Sequence, residues 1–192
     1  MGKPLPPLLD QRQSLSRRGF LKLGAALASA GAAPSAALAA AAGGSPERTL
    51  SFYNVNTGER LDTAYWAEDR YLPDALEQID HLLRDHRNDA VRPIDVRLLD
   101  LLHAVKTALN APAPLHLICG YRSPATNAML AAHSRGVAKH SLHMTGQAAD
   151  IRIPGHDLAD LRKAALALRG GGVGYYPRSD FVHLDVGPVR TW

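Results

Sequence analysis

The spacing of apolar and polar residues changes period several times along the chain, and each change predicts an element. Leu50-Ser-Phe-Tyr-Asn-Val-Asn and Arg60-Leu-Asp-Thr-Ala-Tyr-Trp are rich in aromatic and β-branched residues and flank Thr57-Gly58-Glu59, which predicts a hairpin. Pro73 opens a stretch whose apolar positions Leu76, Ile79, Leu82 and Leu83 recur at helical spacing; Val96, Leu98, Leu99, Leu102, Val105 and Leu109 mark a second helix. Leu115-His-Leu-Ile-Cys119 is an apolar run of strand length, in which Cys119 reads as a small core residue. It ends at Gly120-Tyr121-Arg122, and Ser123-Pro124 then supplies an N-cap and a first-turn proline for a helix reaching Arg135. Residues 147–153 alternate, with Ala149, Ile151 and Ile153 on one face and Ala148, Asp150 and Arg152 on the other. A helix over 157–169, broken by the glycines at 170–172, and two short strands near 173–176 and 181–186 complete the pattern. Helices and strands mix without regular alternation, which predicts an α+β fold with a small, mainly antiparallel sheet and flanking helices.

The first 39 residues follow a different logic. Ser-Leu-Ser-Arg17-Arg18-Gly-Phe-Leu-Lys-Leu-Gly precedes an alanine-rich run that ends in Ala37-Leu38-Ala39. A basic flank, an apolar run and a small-residue exit describe a cleaved export signal over 1–39, and the paired arginines resemble the twin-arginine signature. Residues 40–47 then form a linker and 48–192 a single domain. The formal charge of +4 lies entirely within residues 1–39, and the remainder carries 17 basic and 17 acidic groups. That balance removes any electrostatic argument for nucleic-acid binding. With 46% hydrophobic and 21% charged residues, a disordered chain is excluded. One cysteine cannot close an intramolecular disulfide, so stability after export rests on a packed core, a bound metal, or both. Beyond the signal no stretch approaches about 18 apolar residues, so no stable membrane insertion is expected once it is cleaved.

The candidate chemistry lies after Gly120. Ser141-Leu-His143-Met-Thr-Gly146-Gln-Ala148-Ala-Asp150 sets an imidazole six residues before a carboxylate, with Gly146 allowing the chain to reverse between them. His183-Leu-Asp185 sets another imidazole and a carboxylate on one face of a strand. Catalytic zinc commonly takes two imidazoles and a carboxylate and leaves its fourth position to water, and His143, Asp150 and His183 fit that set. With nine histidines in the chain, spacing alone is a weak argument. The ordered pattern S-x-H-x-x-G-x-A-x-D, followed by a strand histidine in an H-x-D pair, resembles the LAS zinc peptidases, which include lysostaphin-like enzymes, D-Ala-D-Ala peptidases and the hedgehog signalling domain. Gly120-Tyr-Arg-Ser, Lys139-His-Ser-Leu-His-Met-Thr-Gly-Gln-Ala-Ala-Asp-Ile, and the ending Gly174-Tyr-Tyr-Pro-Arg-Ser-Asp-Phe-Val-His-Leu-Asp-Val-Gly-Pro-Val-Arg-Thr-Trp192 resemble more narrowly the D-Ala-D-Ala peptidase branch containing the DUF882 murein endopeptidases.

The resemblance implies a hedgehog/DD-peptidase-like zinc fold that holds one Zn²⁺ through His143, Asp150 and His183. It implies a periplasmic enzyme, expected to be monomeric, that cleaves the peptide cross-links of peptidoglycan with metal-activated water. Arg122 matches the family arginine that holds substrate or stabilises the developing oxyanion. Asp180, three residues before the third ligand, matches the family acid/base. Asp185 competes for that role, as a base, as a partner orienting a ligand imidazole, or as a strand-end charge. Ser141 and His140 are expected to line the cleft. His81, His86 and His103 are read as packing-helix residues, and His116, His133 and His156 are assigned no role. Two other readings stay open: a non-catalytic zinc domain that binds peptidoglycan or a partner, and a D,D-carboxypeptidase or dipeptidase acting on stem peptides.

Overall fold

In the computed structural model, residues 45–134 and 136–192 are described, so the expected signal and the first part of the linker lie outside them. The hairpin pattern becomes β1 (Arg48–Asn54) and β2 (Arg60–Ala67), closed by Gly58 at φ +78 and followed by β3 (Arg70–Tyr71). The helical periods become α1 (Pro73–Leu82) and α2 (Val96–Ala108), the latter capped by Asp95, whose carboxylate accepts from the amide of Arg97. β4 (Leu115–Cys119) leads into α3 (Pro124–His133), capped by Ser123. A 3₁₀ turn (Leu142–Thr145), β5 (Ala148–Arg152), α4 (Leu158–Leu168), β6 (Gly172–Tyr176), β7 (Phe181–Asp185) and β8 (Arg190–Thr191) follow. His86 lies in the loop after α1, not on the helix, because the chain turns after Leu83 to form the Asp85–Ala90 bridge.

The eight strands of the described residues form one sheet in the order β3-β2-β1-β4-β5-β7-β6-β8. Pairing is antiparallel except for β1–β4 and β6–β8, which are parallel. The α+β class and the antiparallel bias are as expected; the sheet is larger and mixed because β3 and β8, two residues each, carry too little pattern to read. One face presents Leu50, Phe52, Leu117, Ala149, Ile151, Val182 and Leu184 to a buried core that includes Ile79, Leu98, Leu102 and Leu161 of the helices. Each of these side chains larger than alanine contributes about 1.5–3 kcal/mol on burial, so this face fixes the register of β1, β4, β5 and β7. The opposite face of β5 and β7 is thereby committed to Asp150, His183 and Asp185.

Two local irregularities aim residues at that face. Gly146 ends the 3₁₀ turn at φ +69, and a Cβ there would strike the Pro93 carbonyl, so the reversal between His143 and Asp150 needs glycine. Between Leu117 and Cys119 the β4–β5 register slips, so that Cys119 rather than Ile118 stands opposite Asp150. Strict alternation would have sent Cys119 into the core with Leu115 and Leu117. The bulge corrects that expectation and turns the thiol to the Asp150 side of the sheet.

Candidate metal centre

His143 rides on the 3₁₀ turn, whose cap, the Ser141 hydroxyl, accepts the His143 amide at 3.3 Å. Asp150 and His183 are registered partners at the middle of β5 and β7. Both imidazoles have their tautomer set from behind. The His143 Nδ1–H donates to the Gly120 carbonyl at 2.7 Å, an oxygen that can only accept, which leaves Nε2 as a lone pair. The His183 Nε2–H donates to Asp185 Oδ2 at 3.1 Å, which leaves Nδ1 as a lone pair. These two nitrogens lie 3.1 Å apart, and Asp150 Oδ1 stands 2.8 Å from His183 Nδ1 and 3.3 Å from His143 Nε2. Three donor atoms therefore converge in a buried pocket that calls for a cation among them: burial opposes a charge on His143, but Asp150 outweighs it and raises the imidazole well above its ordinary pKa, so without a metal the trio draws in a proton. Donors around a tetrahedral ion bound at about 2.0–2.1 Å are separated by roughly 3.3–3.4 Å, so the triangle has close to the size such an ion requires. Burial opposes the Asp150 charge, but the two imidazoles outweigh it and hold the carboxyl well below the usual range. The residues fit a divalent metal.

The two carboxylates expected to carry the proton are placed otherwise. Asp185 is fully buried behind His183. Its Oδ1 accepts from the amides of Gly172 (3.0 Å) and Gly187 (2.9 Å) and from Arg190 Nη1 (3.1 Å), while Oδ2 accepts from His183 and from Arg190 Nη2 (2.7 Å). Burial raises its pKa, and these donors more than reverse that. It orients the His183 ring and has no free oxygen to offer the cleft. Asp180 sits in the turn before β7 at φ +54, 62% exposed, paired with Arg152 at 2.6 Å. A spacing of three residues brings side chains together on a helix, but in an extended chain it separates them by roughly 10 Å. Neither acid lines the cleft over the triad.

That cleft, about 410 Å³, is walled by Arg122, His140, Ser141, Tyr176, Ser179 and Trp192, with the triad in its floor. Arg122 enters with its backbone amide bonded to the His143 carbonyl at 3.1 Å. Its guanidinium lies 3.4 Å from Asn127 Oδ1, 3.4 Å from Cys119 Sγ and 4.0 Å from Asp150 Oδ2. The Cys119 sulfur stands within 4.8 Å of the donor atoms of His143 and Asp150. Burial pushes this thiol up, and the neighbouring His143 outweighs it and brings it down.

Residues 42–192 match a family described as peptidoglycan L,D-endopeptidase MepK. The chain belongs to that family. A peptidoglycan L,D-endopeptidase MepK of Escherichia coli (strain K12) is 44% identical over 177 residues, covering 92% of this chain and 97% of the relative. A protein of Haemophilus influenzae named as a probable peptidoglycan L,D-endopeptidase MepK is 43% identical over 178 residues, covering 92% and 95%. Membership makes the chain a peptidase, and the match takes in the whole described domain.

In this peptidase the loop bearing Arg122 is anchored by a residue that the sequence did not flag. Asp85 is buried; its carboxylate accepts from the Ser123 amide at 2.9 Å and the Arg87 amide at 3.1 Å, while the Tyr121 amide donates to the Leu83 carbonyl at 2.7 Å. Its only sequence signal was an acid in a polar loop after a helix. Burial raises the Asp85 pKa, but the Thr126 hydroxyl and the Ser123 and Arg87 donors hold it below its ordinary 3.8. Asp85→Ala is expected to cost about 1–3 kcal/mol, the penalty for stranding buried donors. Because the folded pKa is depressed, this contribution is complete above the ordinary value and is lost as pH falls through the lower folded one. Denaturant titrations of the two proteins should therefore differ at pH 7 and converge in acid; a constant gap would contradict the assignment.

Proposed function

We propose that this peptidase is a zinc-dependent murein endopeptidase that hydrolyses peptide cross-links of peptidoglycan. The relatives' names specify an L,D bond, and the same bond class is proposed here. The observation that carries the reading is the convergence of His143 Nε2, Asp150 Oδ1 and His183 Nδ1 in the floor of an open cleft. Two nitrogens and one oxygen suit zinc among the divalent ions, and this donor set belongs to zinc centres that keep a position for water. Zinc bound there supplies Lewis acidity and an acidified water as nucleophile.

The chain's own residues do the rest. His143 and His183 present unprotonated nitrogens because Gly120 and Asp185 hold the opposite ring N–H groups. Arg122 offers the cleft a fixed cation for the scissile carbonyl oxygen, and Ser141 and His140 border the substrate path. We further propose that the chain is exported through the twin-arginine signal at 1–39, acts in the cell envelope as a monomer, and has peptidoglycan as its partner. Among the described residues no helix is long and apolar enough to cross a membrane.

The test is digestion of cross-linked muropeptides by the purified protein, read by mass spectrometry. Cleavage should stop on chelation and resume with zinc, and a zinc-loaded protein that leaves every muropeptide intact overturns the proposal. In the same assay Asp180→Asn should keep wild-type turnover and lose at most about 1 kcal/mol of stability, as for an exposed ion pair.

A further inference from the structure

β8 is only two residues long, yet a chain of contacts runs from it to the third ligand. It pairs with β6 and is continued by Trp192, whose amide donates to the Val173 carbonyl at 3.3 Å and whose carbonyl accepts from the Tyr175 amide at 3.0 Å. Arg190 lays its guanidinium fork on both oxygens of Asp185, at 3.1 and 2.7 Å, and Asp185 in turn receives the His183 Nε2–H. The same guanidinium lies 5.0 Å from the centre of the Trp192 ring. That indole stands 5.2 Å from the His183 ring and donates its Nε1–H to the Tyr176 hydroxyl at 2.7 Å. Two glycines of β6 make the room. A Cβ at Gly172 would come within 2.5 Å of Asp185 Oδ2 and 2.6 Å of Arg190 Nη1, and one at Gly174 within 2.7 Å of Trp192 Cε2.

We propose that Arg190 and Trp192 are positioning residues that clamp His183. The Gly172 and Gly187 amides anchor Oδ1, but on Oδ2, the oxygen that receives the His183 Nε2–H, Arg190 is the one other donor among the described residues. The bidentate guanidinium fixes the Asp185 plane, so Asp185 fixes the His183 tautomer and ring orientation. The indole closes the flank of the ring, and Nδ1 is thereby held at the donor triangle. The proposal rests on the zinc reading above, but concerns how the ligand is held and not what is cleaved.

Zinc affinity, measured against a chromophoric chelator, tests it. Arg190→Gln should weaken zinc about 10–100-fold, the usual cost of losing a group that orients a ligand. Arg190→Lys should fall between it and wild type, since a point charge cannot span both oxygens. Gly172→Ala, which deletes neither charge but displaces the pair, should weaken zinc too, and Trp192→Ala more than Trp192→Phe. Side-chain ¹⁵N spectra of the histidines should show His183 purely Nε2-protonated in the wild type and mixed in Arg190→Gln, with circular dichroism confirming an intact fold. Turnover should fall while KM for muropeptide stays near wild type. Undiminished zinc affinity with an unchanged tautomer in Arg190→Gln and Gly172→Ala overturns the clamp while leaving the peptidase reading intact. A change in KM alone in Trp192→Ala takes Trp192 out of it. A wild-type protein that binds no zinc sinks both, whereas one that binds zinc through the clamp but cleaves nothing sinks only the proposed activity.

Discussion

Asp150→Asn is expected to abolish zinc binding and muropeptide cleavage together, without loss of fold. The amide keeps the shape of the carboxylate but removes the only negative charge at the donor triangle, leaving two neutral imidazoles and a weak carbonyl donor. It also brings N–H donors to a place where His183 Nδ1 lies 2.8 Å and His143 Nε2 3.3 Å from Asp150 Oδ1. An amide turned to offer its NH₂ donates to these ring nitrogens itself, so the variant needs neither a metal nor the proton that Asp150 favours on His143. Two opposite effects follow from one substitution. In the presence of chelator Asp150→Asn should melt no lower than the wild type, and zinc should raise the melting temperature of the wild type only. The affinity loss should exceed about 100-fold, beyond what groups that merely orient ligands contribute. Elemental analysis after dialysis, with a melting curve on each sample, reads both. Stoichiometric zinc in Asp150→Asn, or a collapse of its metal-free stability, would contradict the geometry.

The same site shows what a sequence can and cannot disclose. Period and punctuation were enough for the hairpin, the four helices and the strands that hold Asp150 and His183, because each of those has a long apolar face or a Ser, Asp or Pro at its start. Placing Asp185 on the face of His183 followed from strand parity, which survives wherever no bulge intervenes. Parity failed at Cys119 for the reason that one extra residue in β4 shifts the register, and a bulge has no residue signature in Leu-Ile-Cys. Burial of Asp185 was invisible as well. It depends on Arg190, on the absence of side chains at Gly172 and Gly187, and on a strand too short to leave a pattern. Gly172 looked like a helix breaker, and it also makes space for a charge pair. Asp180 was read from a motif spacing, which carries no information on the backbone that turns its carboxylate toward Arg152.

Arg122→Lys is expected to lower kcat about 10²–10³-fold, as when one preorganised donor to a developing oxyanion is lost, with zinc content unchanged. The guanidinium is held at its base and underused at its tip. Its amide is tied to His143, while its contacts to Asn127 and Cys119 are long at 3.4 Å, and Nε is buried with no partner among the described residues. A group that pays for burial and spends so little of its donor capacity on the protein is placed to spend it on the charge that forms at the substrate carbonyl. Lysine keeps a cation near Asp150, so the metal site should be electrostatically undisturbed, but it lacks the rigid planar fork. Steady-state kinetics on a defined cross-linked muropeptide separate the possibilities. A fall in kcat with KM retained assigns Arg122 to the transition state. A rise in KM alone assigns it to substrate binding before the bond breaks. Wild-type values for both would mean that the arginine serves only to link the β4–α3 turn to His143, a task its backbone amide already performs.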